Sequence, residues 1–225
     1  MTSIAYDKGY FFLRKCEETV GREAWDAFLK SYFNEFAFQS MTTEAFIDRV
    51  KSKLAGAEKI DFDGWIYSPG LPKDFPVVTT DELANVAAAS AAFAAGKSAS
   101  DVASDYQTSE WTTHHWNHFL RTLPTLSSDQ MRQLDAEFKF TKSGNSEITH
   151  DWLLHVIGSN YKPGHARLEE FLTSQGRRKF LQPLYEKLVQ SEPGKARAKQ
   201  IYAKARPGYH AVSSQTIDKI VGFND

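Results

Sequence analysis

Apolar residues recur along most of this chain at intervals of three and four positions, which is the spacing of one face of an α-helix. Alternation of apolar and polar residues, as in a strand, is not sustained anywhere in the sequence. The clearest helical stripe is largely aromatic and consists of Trp25, Phe28, Leu29, Tyr32, Phe33 and Phe36. A stripe of this kind is typical of a helix that packs into a core. The pattern therefore predicts an all-α protein.

The same spacing gives the positions of the individual helices. The first is expected over about 8–20, ending at Gly21, and the second carries the aromatic stripe. Thr42 or Thr43 can cap a third helix, whose apolar face includes Phe46 and Leu54. Further helices are predicted near 83–95, 99–106, 109–123, 128–140, 146–158, 164–175, 178–190, 194–205 and 213–221. Because these helices are short and their turns are shorter, we expect a layered or superhelical array of helix pairs, each packed antiparallel to its neighbour.

The helical pattern is interrupted by the stretch DFDGWIYSPGLPKDFP at 61–76. Its three prolines and two glycines are typical of a connection between units. We therefore predict a first domain over 1–66, a Pro-rich junction over 67–78 and a helical domain over 79–225. Thr79 and Glu82 form a capping box that would start the alanine-rich first helix of the second domain.

Composition and charge narrow the class of protein. The 225 residues are 41% hydrophobic and include 27 Lys and Arg against 28 Asp and Glu, a formal net charge of -1. No apolar run approaches the roughly 20 residues of a membrane span, so no membrane partner is expected. The near-neutral balance argues against a nucleic-acid partner, although the stretch 177–206 holds nine basic residues and two acidic ones. The single cysteine, Cys16, can form no internal disulfide, which fits a cytoplasmic protein.

One group of histidines has the spacing of a zinc motif. His114 and His118 stand four positions apart, as in HEXXH, and Glu137 follows where a gluzincin keeps its third ligand. The residue after the first histidine is His115, whereas the motif has a glutamate there that takes a proton from zinc-bound water. Because this base is missing and the spacing can arise by chance among seven histidines, we expect no metal to be bound by this chain.

Three other stretches are more specific than the histidines. They are YDKGYFFLRKCEETVG at 6–21, DGWIYSPGLP at 63–72 and TSQGRRKFLQPLYEKL at 173–188. In this order and at these separations they resemble the C-terminal portion of the leukotriene A(4) hydrolase type of zinc aminopeptidase, a branch of the gluzincin aminopeptidases. The segment FLKSYFNEFAFQSMTTEAF at 28–46 resembles the same family, so the likeness covers nearly the whole chain.

The resemblance implies a layout and three functional residues. Residues 1–66 would be the last helices of a thermolysin-like catalytic domain, followed by an α-α superhelical C-terminal domain of the armadillo or HEAT type. Tyr6 would donate a hydrogen bond to the oxyanion that forms when zinc-bound water attacks a peptide carbonyl. Arg177 and Lys179 would hold the substrate carboxylate, either the C-terminus of a short peptide or the acid of a lipid epoxide. Gly176 can end one helix, which places both cations near the start of the next, where free amides also attract anions.

The family's zinc motif lies upstream of the matching tyrosine, and only five residues precede Tyr6 here. Zinc, the cofactor of the full-length family enzyme, would therefore be held by a zinc-binding catalytic portion, in cis or as a separate chain. This chain alone is expected to be inactive. The sequence leaves open which of Arg177, Arg178 and Lys179 face the site, since Arg178 could instead point to solvent or to Glu170.

An alternative hypothesis belongs to a different class of function. The chain could be a non-catalytic helical scaffold that binds a protein partner or an acidic ligand. Its concave face and the basic stretch 177–206 would then form the binding surface.

Overall fold

The computed structural model describes residues 4–75 and 80–223. The chain divides into two compact units, Met1–Thr79 and Thr80–Asp225. Within the described ranges all regular elements are helical and no strand occurs, which confirms the predicted all-α class. None of the helices in these ranges is both long and apolar enough to cross a lipid bilayer.

Three α-helices form most of the described part of the first unit. They are α1 (Ile4–Val20), α2 (Arg22–Glu35) and α3 (Thr43–Lys53). Gly21 joins α1 to α2 with a φ of 89°, a conformation that glycine adopts without strain. Thr42 caps α3, because its hydroxyl accepts a hydrogen bond from the Ala45 amide at 3.2 Å.

The core of the first unit is largely aromatic. Trp25 and Phe28 of the predicted stripe are buried, whereas Phe33 is 68% exposed. Cys16 is fully buried in the same cluster, and burial raises the pKa of its thiol to about 12. The cysteine is therefore a small core residue and not a reactive thiol.

The segment interpreted as a connection contributes to this core. A single π-helical turn spans Asp63–Tyr67, and Trp65 within it is only 2% exposed. The Trp65 indole donates a hydrogen bond to Asp74 Oδ1 at 3.1 Å. The first half of the stretch 61–76 is thus fixed by a buried tryptophan, which the nearby glycines and prolines concealed in the sequence.

Nine α-helices lie within the described residues of the second unit: α4 (Asp81–Ala94), α5 (Ala99–Asp105), α6 (Thr113–Thr122), α7 (Ser128–Phe138), α8 (Ser146–Gly158), α9 (His165–Ser174), α10 (Arg178–Leu188), α11 (Glu192–Ala205) and α12 (Ala211–Val221). Thr80 caps α4 by accepting a hydrogen bond from the Glu82 amide at 3.3 Å. Thr79, the predicted cap, lies outside the described residues. Ser127 and Asn145 cap α7 and α8 in the same way.

Helices of the second unit pack in alternation. Helices α4, α6, α8, α10 and α12 form one layer, in which each packs mainly against the next member of the series. On the other side, α5 packs with α7, and α9 packs with α11. The predicted layered array is therefore present, but each helix of the first layer packs more extensively against its second neighbour along the chain than against its immediate neighbour. The surface has a groove at each end of α8 and α10. Both helices start beside one groove and end beside the other.

The buried residues of the second unit form one continuous apolar cluster. Tyr185 and Tyr202 are fully buried in it, and burial raises the pKa of both phenols. The Tyr202 hydroxyl donates a hydrogen bond to Asp218 Oδ1 at 2.6 Å. Both phenols therefore stay protonated, and Tyr202 serves as a structural hydrogen-bond donor.

Candidate functional site

The basic run Arg177-Arg178-Lys179 lies at the start of α10. Arg177 is the N-cap residue, and its carbonyl accepts the first hydrogen bonds of the helix. The preceding turn is anchored, because the buried Ser213 donates its hydroxyl to the Gly176 carbonyl at 2.8 Å. All three basic side chains are exposed, and the first turn of α10 contains no acidic residue. Positive charge therefore accumulates at a helix end that disfavours cations and favours anions.

A groove of about 600 Å³ opens beside Lys179. We call it the Lys179 groove, and it is lined by Leu83, Thr113, His114, Asn117, His118, Arg121, Glu147 and Lys179. Lys179 pairs there with Glu147, and its Nζ lies 4.6 Å from the ring centre of Phe180. Arg177, the N-cap residue, is not among the lining residues of this groove.

A buried carboxylate adjoins the Lys179 groove. Asp151 on α8 is 3% exposed and accepts hydrogen bonds from Arg121 Nε and Asn117 Nδ2, both at 2.8 Å. Its other oxygen lies 2.9 Å from Nδ1 of His150. These contacts hold the Arg121 side chain at the groove, where 63% of it remains exposed. Burial of a carboxylate requires partners of this kind.

The Asp151 cluster was missed in the sequence. Arg121 and Asp151 are 30 positions apart, so no local spacing connects them. The available signal is an aspartate directly before the apolar run Trp152, Leu153 and Leu154 of α8, where a charge needs a partner.

The apparent zinc motif is not assembled. His114 and His118 both line the Lys179 groove on α6, whereas Glu137 is an exposed residue of α7. Helix α6 packs against α4 and α8, so the antiparallel α6–α7 pair on which the motif would depend does not form. Across the part of the chain that the structure describes, no three His, Cys, Asp or Glu side chains gather as metal ligands would. The described residues therefore do not provide the donor set that zinc requires.

His115, which occupies the position of the motif's general base, has a structural role. Its Nδ1 accepts a hydrogen bond from the Thr112 amide at 3.0 Å, at the start of α6. Its Nε2 lies 3.3 Å from the Glu82 carboxylate of α4. Because Nδ1 is the acceptor, the ring proton lies on Nε2 and points to Glu82. The imidazole thus caps one helix and connects it to another.

Tyr6 lies near the start of α1 in the first unit and is 75% exposed. Tyr10 and Leu13 follow on the same side of the helix and are 57% and 43% exposed. Two of the stretches that carry the resemblance meet here, because Lys8 Nζ donates a hydrogen bond to the Ser68 carbonyl at 2.7 Å. The start of α1 is thereby fixed to the YSPG turn while the Tyr6 ring remains open to solvent.

Comparison with known families accounts for both parts of the chain. The family model described as "Peptidase family M1 domain" matches residues 1–65. The family model described as "Leukotriene A4 hydrolase, C-terminal" matches residues 111–221. The two matches fall in the two structural units in the order that the resemblance implied.

Individual relatives give the same result. Leucine aminopeptidase 2-2 of Scheffersomyces stipitis is 26% identical over 99% of this chain and 38% of its own length. Leukotriene A-4 hydrolase of Xenopus laevis is 28% identical over 97% of this chain and 37% of its own length. Aminopeptidase B of Mus musculus is 26% identical over 98% of this chain and 36% of its own length.

The fold agrees with these sequences. The structure of native yeast LTA4 hydrolase matches with a TM-score of 0.78 at 22% identity, covering 99% of this chain and 40% of that one. The chain thus spans between 36% and 40% of the length of the proteins it matches. The two family models and the curated relatives show that the chain is similar to the M1 peptidases. More narrowly, it corresponds to the C-terminal part of a leukotriene A4 hydrolase-like aminopeptidase.

Proposed function

We propose that this chain serves a zinc-dependent aminopeptidase or epoxide hydrolase by supplying two parts of its active site. Tyr6 stabilises the oxyanion, and Arg177 and Lys179 bind the carboxylate of a short peptide or of a fatty-acid substrate. The observation that carries this proposal is the exposed basic run at the start of α10, within the region that matches the leukotriene A4 hydrolase family model.

The start of α10 has the properties of a carboxylate site. An Arg fork and an ammonium group, beside the free amides of a helix N-terminus, give charge-assisted hydrogen bonds to an anion. Lys179 already has Glu147 as a counter-ion, but both side chains are partly exposed, at 47% and 39%. An ion pair of this kind is worth little, so an incoming carboxylate displaces Glu147 at small cost.

Tyr6 supports the proposal through its accessibility. A phenol hydroxyl can donate a hydrogen bond to a carbonyl oxygen as negative charge develops on it, and this interaction is stronger in the transition state than in the ground state. A buried tyrosine could not reach a substrate, whereas the Tyr6 side chain is largely exposed.

The proposed partner is a zinc-binding catalytic portion, in cis or as a separate chain. Tyr6, Tyr10 and Leu13 form an exposed apolar face along α1. Contiguous apolar surface of this kind marks a protein interface. Since the described residues lack a zinc donor set, we expect the chain alone to be inactive.

The first test compares the chain alone with the chain combined with the zinc-binding portion. Bound zinc is measured, and hydrolysis of arginyl and alanyl anilides is followed. We expect turnover in the combined sample alone. Stoichiometric zinc in the isolated chain, with turnover abolished by His114→Ala, would overturn the proposal. Firm binding of the partner with no effect on turnover would favour the scaffold alternative.

The second test assigns the residues in the combined enzyme. Tyr6→Phe is expected to lower kcat by roughly 100-fold or more with little change in KM, because one oxyanion donor is lost. Tyr10→Phe, four positions along the same face, is the matched control and should have little effect. Arg177→Ala and Lys179→Ala should raise KM, and Arg178→Ala tests whether the middle residue of the run takes part.

A further inference from the structure

A second groove lies at the other end of α8 and α10 and has a volume of about 890 Å³. The ends of these two helices and the starts of α9 and α11 line it. We call it the Lys187 groove, and its basic lining residues are Lys162, His165, Lys187 and Arg197. No aspartate or glutamate is among its lining residues.

The cations of the Lys187 groove form no ion pair with the described residues. Neither Lys187 nor Arg197 forms an ion pair within 4 Å with any residue that the structure describes, although both are half-buried. The nearby Glu169 pairs with Lys204 at 2.6 Å, and its pKa is lowered mainly by Lys204 and to a smaller extent by the charge of Arg197. Partial burial of a charge without a partner costs free energy, and a bound anion would offset that cost.

His165 reports the positive potential of the groove. Its pKa is lowered from the ordinary value, first by burial and then by the charges of Arg197 and Lys162. The three basic groups therefore act on one another within the same space, and the groove favours negative charge.

Close backbone contacts build this groove. A Cβ atom at Gly194 would lie 2.1 Å from the Leu188 carbonyl oxygen, and one at Gly164 would lie 2.6 Å from a methyl group of Val156. Glycine at these two positions lets the starts of α11 and α9 approach the ends of α10 and α8. The starts of both helices thus border one groove. The start of α11 is capped by Ser191 and carries Glu192, whereas α9 has neither a side-chain cap nor an acidic residue in its first turn. The start of α9 therefore favours an anion.

We propose that the Lys187 groove binds a soluble ligand that carries several phosphate groups. Three full positive charges, one uncapped helix N-terminus and the absence of lining acids match a polyanion better than a single carboxylate. The groove also has apolar lining from Ile157, Leu168 and Leu188, which suits the uncharged part of a nucleoside polyphosphate. This site does not depend on the carboxylate site, because Lys179 and Lys187 are separated by about 12 Å along α10.

The test is calorimetric titration of the 225-residue chain with inorganic tripolyphosphate and, separately, with adenosine triphosphate at constant ionic strength. We expect saturable binding of one equivalent of each. Tighter binding of adenosine triphosphate would show that the apolar lining contributes to binding. Equal affinities for the two ligands would show that the site recognises the phosphate groups alone. Vesicles containing phosphatidylinositol bisphosphate form a third arm, and binding to them in place of both soluble ligands would overturn the assignment to a soluble ligand.

The variants decide whether the groove is the binding site. The double variant K187Q/R197Q should weaken binding by about tenfold or more, since it removes two charge-assisted contacts. The matched control K195Q/K199Q removes two exposed charges of α11 that do not line the groove and should leave the affinity within about twofold. Lys187→Arg keeps the charge and should retain binding. Absence of saturable binding, or equal weakening in both double variants, would overturn the proposal.

Discussion

The second unit presents positive charge at both ends of α8 and α10, but the two ends differ in how that charge is paired. In the Lys179 groove, Lys179 pairs with Glu147, and Arg121 pairs with the buried Asp151. In the Lys187 groove, no acidic residue lines the surface. A ligand must replace an existing partner at the first end, whereas it supplies the missing partner at the second. Charge pairing, and not charge alone, therefore distinguishes the two surfaces.

The largest effect is expected at Asp151, the buried acid that pairs with Arg121 at the Lys179 groove. Asp151→Ala should lower the free energy of unfolding by about 3 kcal/mol, because Asn117 and His150 would keep buried polar atoms without an acceptor. Urea unfolding followed by circular dichroism measures the loss. Asp129→Ala, which removes an exposed pair with Arg132, should cost less than about 0.5 kcal/mol. Equal losses in the two variants would show that the buried cluster is not a structural element.

The next prediction compares one arginine from each groove. Arg121→Ala should cost about 1 kcal/mol, less than for a fully buried pair because its side chain is 63% exposed. Arg197→Ala should change the free energy of unfolding by less than about 0.5 kcal/mol, since no ion pair with a described residue is lost. The same unfolding experiment measures both. A larger loss for Arg197 would reverse the proposed difference between the grooves.

The third prediction concerns the pKa of His165, followed through its Cε1 proton by NMR titration. The K162Q/R197Q variant should raise this pKa, because two of the three causes that lower it are removed while burial remains. Bound tripolyphosphate should raise it as well.

The sign of the linked stability change follows from the lowered pKa of His165 in the folded state. The unfolded chain binds the proton more tightly, so the folded state loses stability as the pH falls from above the unfolded pKa of about 6.5 towards the folded pKa. This loss should be smaller in the K162Q/R197Q variant. An unchanged pKa of His165 in that variant would contradict the inferred positive potential in the Lys187 groove.

The smallest change in stability is expected at Glu147. Glu147→Gln should alter the free energy of unfolding by less than about 0.5 kcal/mol, since the pair with Lys179 is largely solvated. In the combined enzyme it should nevertheless lower KM for peptides with a free C-terminus, because Lys179 no longer has a competing partner. Glu186→Gln, an exposed change elsewhere on α10, is the control and should leave KM unchanged.

Much of the fold was predictable because helix formation leaves a local signal. The spacing of apolar residues placed α8 over 146–158 and α11 over 194–205, and the structure has Ser146–Gly158 and Glu192–Ala205. The order of packing was not predictable, since a short turn fixes only the direction of the next helix. The partner of a helix depends on which side chains interdigitate across many positions, and that information is not local.

The residues of the candidate site also differ in how far local sequence could predict them. Arg177 and Lys179 were predicted because the stretch that contains them resembles the family, and their position after Gly176 supported that prediction. Arg121 was missed because its partner Asp151 lies on a different helix. The spacing of His114 and His118 could not define a metal site for the same reason, since correct spacing along one helix says nothing about a third ligand on another.

The most direct test of the account uses peptide substrates that differ only at the C-terminus. In the combined enzyme, kcat/KM is measured for a tripeptide with a free carboxylate and for the corresponding amide. The account predicts that the carboxylate is preferred by about tenfold or more and that the R177A/K179A variant loses this preference. The K187Q/R197Q variant should keep it. An R177A/K179A variant that retains the preference for the free carboxylate would contradict the account.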